Sequence, residues 1–352
     1  MITLIFPEVY KIGGIQKYNE NLLNFFIKEN YKGISLSLND NISFKKNDLR
    51  FKGFKKNKIK FFIFSIIYSI KSKKIIIGHL NFSSLSFFIK ILNPFSKTFL
   101  ILHGIECWRK LNFFEKFFLK FVDSFISVSE FTKEKFLEYN KFLNKKKFFI
   151  LPTYINIIDE IDHSEKMPEG KVILSVSRIS KNDRYKGIEN VIKVMPGILK
   201  EIPDLYYIII GDGDDRERLE RIAKDLNIKD RVIFKGFISS KKLNFYYKNC
   251  DLFILPSKKE GFGIVFLEAL YFGKPVIAGN KDGSKEAVLN GEIGILIDPD
   301  DLEDIKYKIL KVFKKEIDKK YFDKDYLKNK VSENFSFEKF KERIIKILNE
   351  KV

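Results

Sequence analysis

Apolar and polar positions along the chain follow two alternating periods. Ile2–Phe6 is a short apolar run with β-branched residues, and after Gly13-Gly14 the positions Ile15, Tyr18, Leu22 and Phe25 recur at helical spacing. Ile75–Ile77, Thr98–Leu102, Phe125–Val128 and Phe148–Leu151 read as further buried strands. Polar residues with Pro and Gly gather at Ser164–Gly170, and a second series then begins. Its strands are expected at Val172–Val176, Tyr206–Ile210, Val232–Phe234, Leu252–Leu255 and Pro275–Ile277. Between them, Ile188, Val191, Ile192, Met195, Ile198 and Leu199 lie on one helical face, as do Leu219, Ile222, Ala223 and Leu226. Short strands alternating with amphipathic helices are the mark of βαβ units on parallel sheets. The expected fold is therefore α/β, with two doubly wound Rossmann-like domains facing a cleft. They are expected at residues 1–165 and 166–330, with a closing helix in 331–352 that crosses back to the first. Ser336 is its expected N-cap.

Composition narrows the class. A chain of 352 residues with 45% hydrophobic residues suits two cores rather than one, and a mean hydropathy of −0.15 marks a globular chain. The longest nearly unbroken apolar run, Phe61–Ile70, is half the length of a spanning helix, and Met1–Tyr10 lacks the features of a signal peptide. Cys107 and Cys250 are too few for a disulfide framework or a metal cage, which fits a reducing cytoplasm. The net charge of +19 is unevenly placed. Residues 1–150 carry 27 basic and 11 acidic residues and 25 of the 37 phenylalanines. An AT-rich genome explains abundant Lys, Phe, Ile and Asn, but not acids that are scarce in the first half only. That half is expected to face something anionic.

Candidate chemistry sits in the turns after strands. Gly13-Gly14 leaves backbone amides bare at a helix start, which suits an anion, although such a pair also serves as a plain turn. The spacing is neither G-x-G-x-x-G nor that of a P-loop. Arg178 and Lys186 follow the strand Val172–Val176; a fork and a point charge together suit a diphosphate, while a solvated basic loop is the plainer reading. Glu260-Gly-Phe-Gly-Ile-Val-Phe-Leu-Glu268 is the most informative segment. It follows a buried strand and Pro256-Ser257 and opens a helix near Gly263, placing Glu268 about 7.5 Å along the axis. A carboxylate in that apolar stretch needs partners, and a ribose diol would supply two.

These motifs together resemble a retaining glycosyltransferase of the large group 1 family, the one containing bacterial mannosyl- and glucosyltransferases and relatives of sucrose and glycogen synthases, with the GT-B fold. The resemblance runs nearly end to end and is strongest in Ser177-Arg178, Tyr185-Lys186-Gly187, Gly211-Asp212-Gly213, Gly236-Phe237, Leu255-Pro256-Ser257 and Glu260–Glu268. Gly273-Lys-Pro-Val-Ile-Ala278 extends it. It implies that Arg178 and Lys186 hold the donor diphosphate and that Glu268 takes the ribose hydroxyls. Glu260 would contact the transferred sugar, with the amides around Phe262, Gly263, Ile264 and Val265 supporting sugar and phosphate. Gly211 and Phe237 would border the nucleotide, and Gly13 and Gly14 would bring backbone to the phosphate from the first domain. His103, in Leu-His-Gly-Ile-Glu106, matches the family histidine at the sugar's reacting side; a buried strand-end histidine is the plainer reading. Front-face attack, as the family is generally viewed, needs no enzymic nucleophile and leaves the protein positioning and charge stabilisation. No cofactor and no metal are implied beyond the nucleotide-sugar cosubstrate.

Two departures from the family pattern stand out. Asn182-Asp183-Arg184 lengthens the loop, so Arg184 could share the phosphate role, and Pro152-Thr-Tyr-Ile-Asn156 replaces the usual Pro-Asn-Gly-Ile/Val-Asp. In the family the first domain receives the acceptor, a glycan or often a lipid-linked one. The Lys- and Phe-rich stretches 51–74 and 112–125 are expected to meet anionic lipid, placing a cytoplasmic protein on the inner membrane face. A nucleic-acid-binding protein is the reading from a different class, but the chain lacks an RNP signature, zinc spacing or a helix-turn-helix. A non-catalytic nucleotide-sugar-binding subunit and a GT-B-fold epimerase are the remaining alternatives.

Overall fold

The computed structural model describes residues 1–143, 145–157 and 160–350. The chain forms two units, Met1–Tyr154 with the tail from Phe335, and Ile155–Asn334. The division thus falls eleven residues before the expected one at 165, and the closing helix groups with the first unit.

In the first unit, β1 (Ile2–Phe6), α1 (Gly14–Lys28) and β2 (Gly33–Ser37) are followed by β3 (Ser43–Lys46), β4 (Leu49–Gly53) and α2 (Lys58–Ile70). Next come β5 (Lys74–Ile77), α3 (Ser84–Leu92), β6 (Lys97–Leu102) and α4 (Phe113–Leu119). The series ends with β7 (Ser124–Ser127), α5 (Glu130–Tyr139) and β8 (Lys147–Ile150). The sheet order is β3-β4-β2-β1-β5-β6-β7-β8, parallel except for the β3/β4 pair. Strand order reverses between β1 and β5, which is where loops part at a sheet's carboxyl edge and a ligand finds room. The core is continuous from Ile5 and Ile77 through Leu100 and Leu102 to Phe125 and Phe136.

In the second unit, β9 (Lys171–Val176), α6 (Ile188–Leu199), β10 (Leu205–Ile210), α7 (Arg216–Asp225) and β11 (Val232–Gly236) come first. After them run α8 (Ser240–Asn249), β12 (Leu252–Leu255), α9 (Ile264–Tyr271), β13 (Val276–Gly279) and the single turn α10 (Ser284–Ala287). β14 (Ile295–Ile297), α11 (Leu302–Phe313) and α12 (Lys324–Phe335) complete it. The sheet is all parallel, in the order β11-β10-β9-β12-β13-β14, and its order reverses between β9 and β12. These are two Rossmann-like sheets with helices, as the hydrophobic periods predict.

The closing helix α13 (Phe337–Asn349) is capped by Ser336, whose hydroxyl accepts from the Lys339 amide. Its buried edge enters the first unit's core, where the ring of Phe340 lies 5.8 Å from Phe25 and 5.1 Å from Tyr154. The departure at Pro152–Asn156 serves this junction. Asn21 donates from Nδ2 to Thr153 Oγ1 and to the Tyr154 carbonyl, 2.9 Å each.

Strands β2, β3, β4 and β14 lie outside the strands expected from the sequence. β3 is largely exposed and reads Ser-Phe-Lys-Lys, so it lacks the apolar signal of a buried strand. The phenylalanine stretch 51–74 also resolves differently from expectation. Phe51, Phe54 and Phe61 are core residues, packed by β4 and the inner face of α2.

Gly211 ends β10 with φ +127°, and a Cβ there would lie 1.9 Å from the Ser177 carbonyl oxygen. Its amide closes on the Gly236 carbonyl. Gly211→Ala should therefore lose about 1–3 kcal/mol of stability, whereas Gly14→Ala, whose Cβ meets nothing within 4 Å, should unfold in urea almost as wild type does.

Candidate functional site

The residues expected to do chemistry fall at the carboxyl edges of the two sheets, in two groups, one on each unit. In the second unit they gather where the strand order reverses. The loop after β9 carries Arg178, Arg184 and Lys186, and the loop after β12 carries Glu260. Gly187 allows these loops to touch. It has φ +77°, and any Cβ would sit 2.2 Å from the Pro256 carbonyl oxygen. The Lys258 amide donates 2.9 Å to the Tyr185 carbonyl, which ties one loop to the other.

This closure makes the central pair. Lys186 Nζ donates to Glu260 Oε1, and both side chains are more than four-fifths buried. Behind them stands Asp282, fully buried, whose carboxylate accepts from the Glu260 amide at 2.7 Å and the Ser284 amide at 3.0 Å. The Ser284 hydroxyl donates to it as well. The Gly283 amide returns a bond to the Glu260 carbonyl at 2.9 Å. Burial first, then the neighbouring Glu260 charge, push the Asp282 carboxyl up to about 6. Asp282 and Ser284 lie outside the sequence expectation; the Asp-Gly-Ser turn after β13 is the only local signal they leave.

Each arginine of the loop is also braced by a carboxylate. Arg178 forks onto buried Asp183 through Nε at 2.5 Å and Nη2 at 3.1 Å, and Tyr185 donates to the same group at 2.7 Å. Arg184 turns to Asp215, with Nη2 to Oδ1 at 2.8 Å. Arg218 shares that carboxylate at 2.7 Å and reaches Glu189 at 2.6 Å. The two guanidinium groups, Arg218 foremost, hold Asp215 down at about 2. The extra residues of this loop therefore bring a second guanidinium to its base, bound to a carboxylate from the β10 loop. Arg178, Arg184, Lys186 and Arg218 line one pocket.

Helix α9 starts after Gly263, at φ +91°, in the register the sequence predicts, and Glu268 is its fifth residue. Tyr247 donates to Glu268 Oε2 at 2.8 Å. Phe262 is buried, Ile264 and Val265 are half-buried, and Phe237 stands exposed after β11.

In the first unit, Gly13 caps α1, which begins at Gly14. His103 follows β6 and is buried. Its Nε2 lies 2.9 Å from the Gly78 carbonyl, which only accepts, so this nitrogen carries the hydrogen. Burial pushes the imidazole down to about 4, so the ring is neutral at physiological pH. Its backbone amide donates 2.7 Å to Glu106, whose side chain also accepts from the Gly104 amide. Two further rings surround it: Tyr18 edge-on at 5.2 Å and His79, 6.4 Å away at the end of β5. Among the described residues, no three His, Cys, Asp or Glu side chains come together as a metal-holding group.

Two Rossmann-like parallel sheets with helices are the architecture of a GT-B protein. HepE from Anabaena, solved in complex with UDP and glucose, shares this architecture, with a TM-score of 0.78 at 17% identity and 99% of both chains covered. Residues 157–329 match the family described as glycosyl transferases group 1, which places the second unit in that family and gives the chain its class, a glycosyltransferase. An uncharacterized glycosyltransferase of Haemophilus influenzae is 28% identical over 318 residues, covering 86% of this chain and 88% of that protein. The GDP-mannose-dependent alpha-(1-6)-phosphatidylinositol monomannoside mannosyltransferase of Mycolicibacterium smegmatis is 33% identical over 141 residues, or 38% of this chain. That alignment spans about a third (36%) of the mannosyltransferase.

The raised Asp282 carboxyl has a signed consequence. Its folded pKa lies above its unfolded one, so its contribution to stability is full below about 3.8 and is lost as pH rises through about 6. Urea unfolding at pH 5 and pH 7 should show Asp282→Asn with a flatter pH dependence than wild type. An unchanged slope would mean that Asp282 stays ionised across this range.

Proposed function

We propose that the protein is a retaining hexosyltransferase that moves a sugar from a UDP- or GDP-sugar to an acceptor hydroxyl, on a lipid-linked or polysaccharide acceptor of the cell envelope. The observation that carries this reading is the Lys186–Glu260 pair at the strand reversal of the second sheet, with Glu268 eight residues on. A cation so held beside a carboxylate is placed to exchange partners. The donor diphosphate takes Lys186 and the exposed face of Arg178, and Glu260, freed of its counter-ion, accepts from a hydroxyl of the transferred sugar. Glu268 accepts from the ribose, with Tyr247 fixing its orientation. Asp183 and Asp215 keep the guanidinium groups in place between turnovers. Arg184, occupied by Asp215, serves the loop rather than the phosphate.

In this reading Lys186 and Arg178 neutralise charge on the departing nucleoside diphosphate, so the reaction draws on no metal. Neutral His103 offers a hydrogen-bonding ring of fixed tautomer to the reacting sugar, and Gly13 and Gly14 offer backbone amides to the phosphate. The names of the relatives support both bases: GDP-mannose for the mycobacterial mannosyltransferase and UDP for HepE.

A thermal-shift panel of UDP, GDP, ADP and their sugars tests the donor. The matching base at about 100 times its dissociation constant should add about 2.7 kcal/mol, and silence across the panel would sink the reading. Glu268→Ala should weaken nucleotide binding by about tenfold or more, as expected for losing hydrogen bonds to a charged group. Lys186→Ala should cut turnover by about 10²–10³-fold. Anomeric proton couplings of the product settle the stereochemistry: the donor's configuration is expected, and its opposite would remove retention from the proposal.

A further inference from the structure

Helix α2 packs against the first sheet through Phe61 and two serines, with Phe62, Phe64, Ile66 and Tyr68 partly buried beside them. Its buried positions are Phe61, Ser65 and Ser69, and the Ser65 hydroxyl has no hydrogen-bond partner among the described residues. Four of its isoleucines point the other way. Ile59, Ile63, Ile67 and Ile70 follow one another at intervals of four, four and three, which is a single stripe, and all are exposed, Ile59 to 75%. Serines inside let the helix lie close on the sheet, and Ser72 meets Thr3 there at 2.7 Å. They do not account for isoleucines outside.

The stripe does not stand alone. α3 lies beside α2, with Phe62 and Phe88 5.4 Å apart, and α4 lies beside α3, with Phe87 and Phe117 5.4 Å apart. Each neighbour adds apolar side chains that the fold leaves uncovered. Ile91 and Leu92 end α3, Phe95 just beyond is 97% exposed, and Phe113 at the start of α4 is 78% exposed. Three adjacent helices thus carry uncovered side chains in one tract, where scattered single residues would need no explanation.

The charge around them is one-sided. Residues 49–105 contain eleven Lys and Arg and no Asp or Glu. Lys55, Lys56, Lys58 and Lys60 crowd the N-terminal end of α2, where the helix dipole is already positive, and none has an acidic partner among the described residues. Such an arrangement weakens the helix locally and answers an external anion. Apolar side chains bordered by unpaired lysines match a bilayer with anionic headgroups.

We propose that the α2–α3–α4 face of the first unit is a membrane-docking surface: the isoleucine stripe and Phe95 enter the acyl boundary of an anionic leaflet, and the lysines at the start of α2 hold its headgroups. The expected lysine–phenylalanine contact is thereby revised, because isoleucine replaces the buried phenylalanines of residues 51–61 as the inserting group. The inference extends the acceptor side of the proposed function, on which its biological sense rests, while its physical basis is this surface.

Sedimentation of the full chain with vesicles of phosphatidylcholine, alone or mixed with phosphatidylglycerol, tests it. Binding is expected to the mixed vesicles only and to fall with salt. The I59S/I63S/I67S variant should bind about tenfold more weakly or worse, with its melting temperature and nucleotide binding unchanged. Both native cysteines are buried, so Phe95→Cys carrying a polarity-sensitive dye gives a second readout: a blue shift on mixed vesicles is expected. Equal binding to both vesicle types, no binding, or an unshifted dye would overturn the proposal. So would a dimer that the triple variant splits, since a second copy would then own the face. Nucleotide binding without vesicle binding removes this inference and leaves the donor reading intact; the converse removes the donor reading alone.

Discussion

The second unit depends on one charge arrangement: a lysine held by a carboxylate, which is held in turn by the backbone of the next loop. Lys186 pairs with Glu260, and the Glu260 amide is pinned by buried Asp282. Because β9 and β12 are neighbours at the point where strand order reverses, both loops leave the sheet side by side. Gly187 then lets them close, since its missing Cβ is the space occupied by Pro256. The same logic recurs at Arg178 with Asp183 and at Arg184 and Arg218 with Asp215. Three basic loop residues are thus fixed in place, each by a carboxylate, as a preorganised positive surface.

The two units divide the physical problem. The second carries nearly balanced charge, and the cations of its loop cluster, Arg178, Arg184, Lys186 and Arg218, each meet a carboxylate. The first carries the surplus, with a run of lysines at the start of α2 that have no acidic partner among the described residues, and with uncovered apolar side chains. A net charge of +19 by itself suggests nucleic acid. Its distribution instead separates a loop cluster of carboxylate-braced cations from a lysine-bordered apolar surface.

Much of the fold was legible because buried parallel strands declare themselves as apolar runs, and amphipathic helices as periodic ones. β1, β5, β6, β9, β10 and β12 were of this kind. β3, with two lysines and an exposed edge, was not. The candidate site was legible where glycine and charge coincide after a strand, as at Glu260–Gly263. The carboxylates behind the cations were harder to see: Asp183, Asp215 and Asp282 are ordinary turn residues in sequence, and only the fold shows that they are buried. The orientation of α2 could not be read at all. A run of Phe, Ile, Ser and Tyr is apolar on every side, so periodicity does not tell which stripe faces inward.

In the proposed function, Lys186 changes partner when the donor binds. A crystal structure with UDP or GDP, chosen by affinity, tests it most directly. The diphosphate is expected within hydrogen-bond distance of Lys186 Nζ, with the ribose on Glu268 and Glu260 released from the lysine. A nucleotide bound with the Lys186–Glu260 pair intact and its diphosphate elsewhere would contradict it.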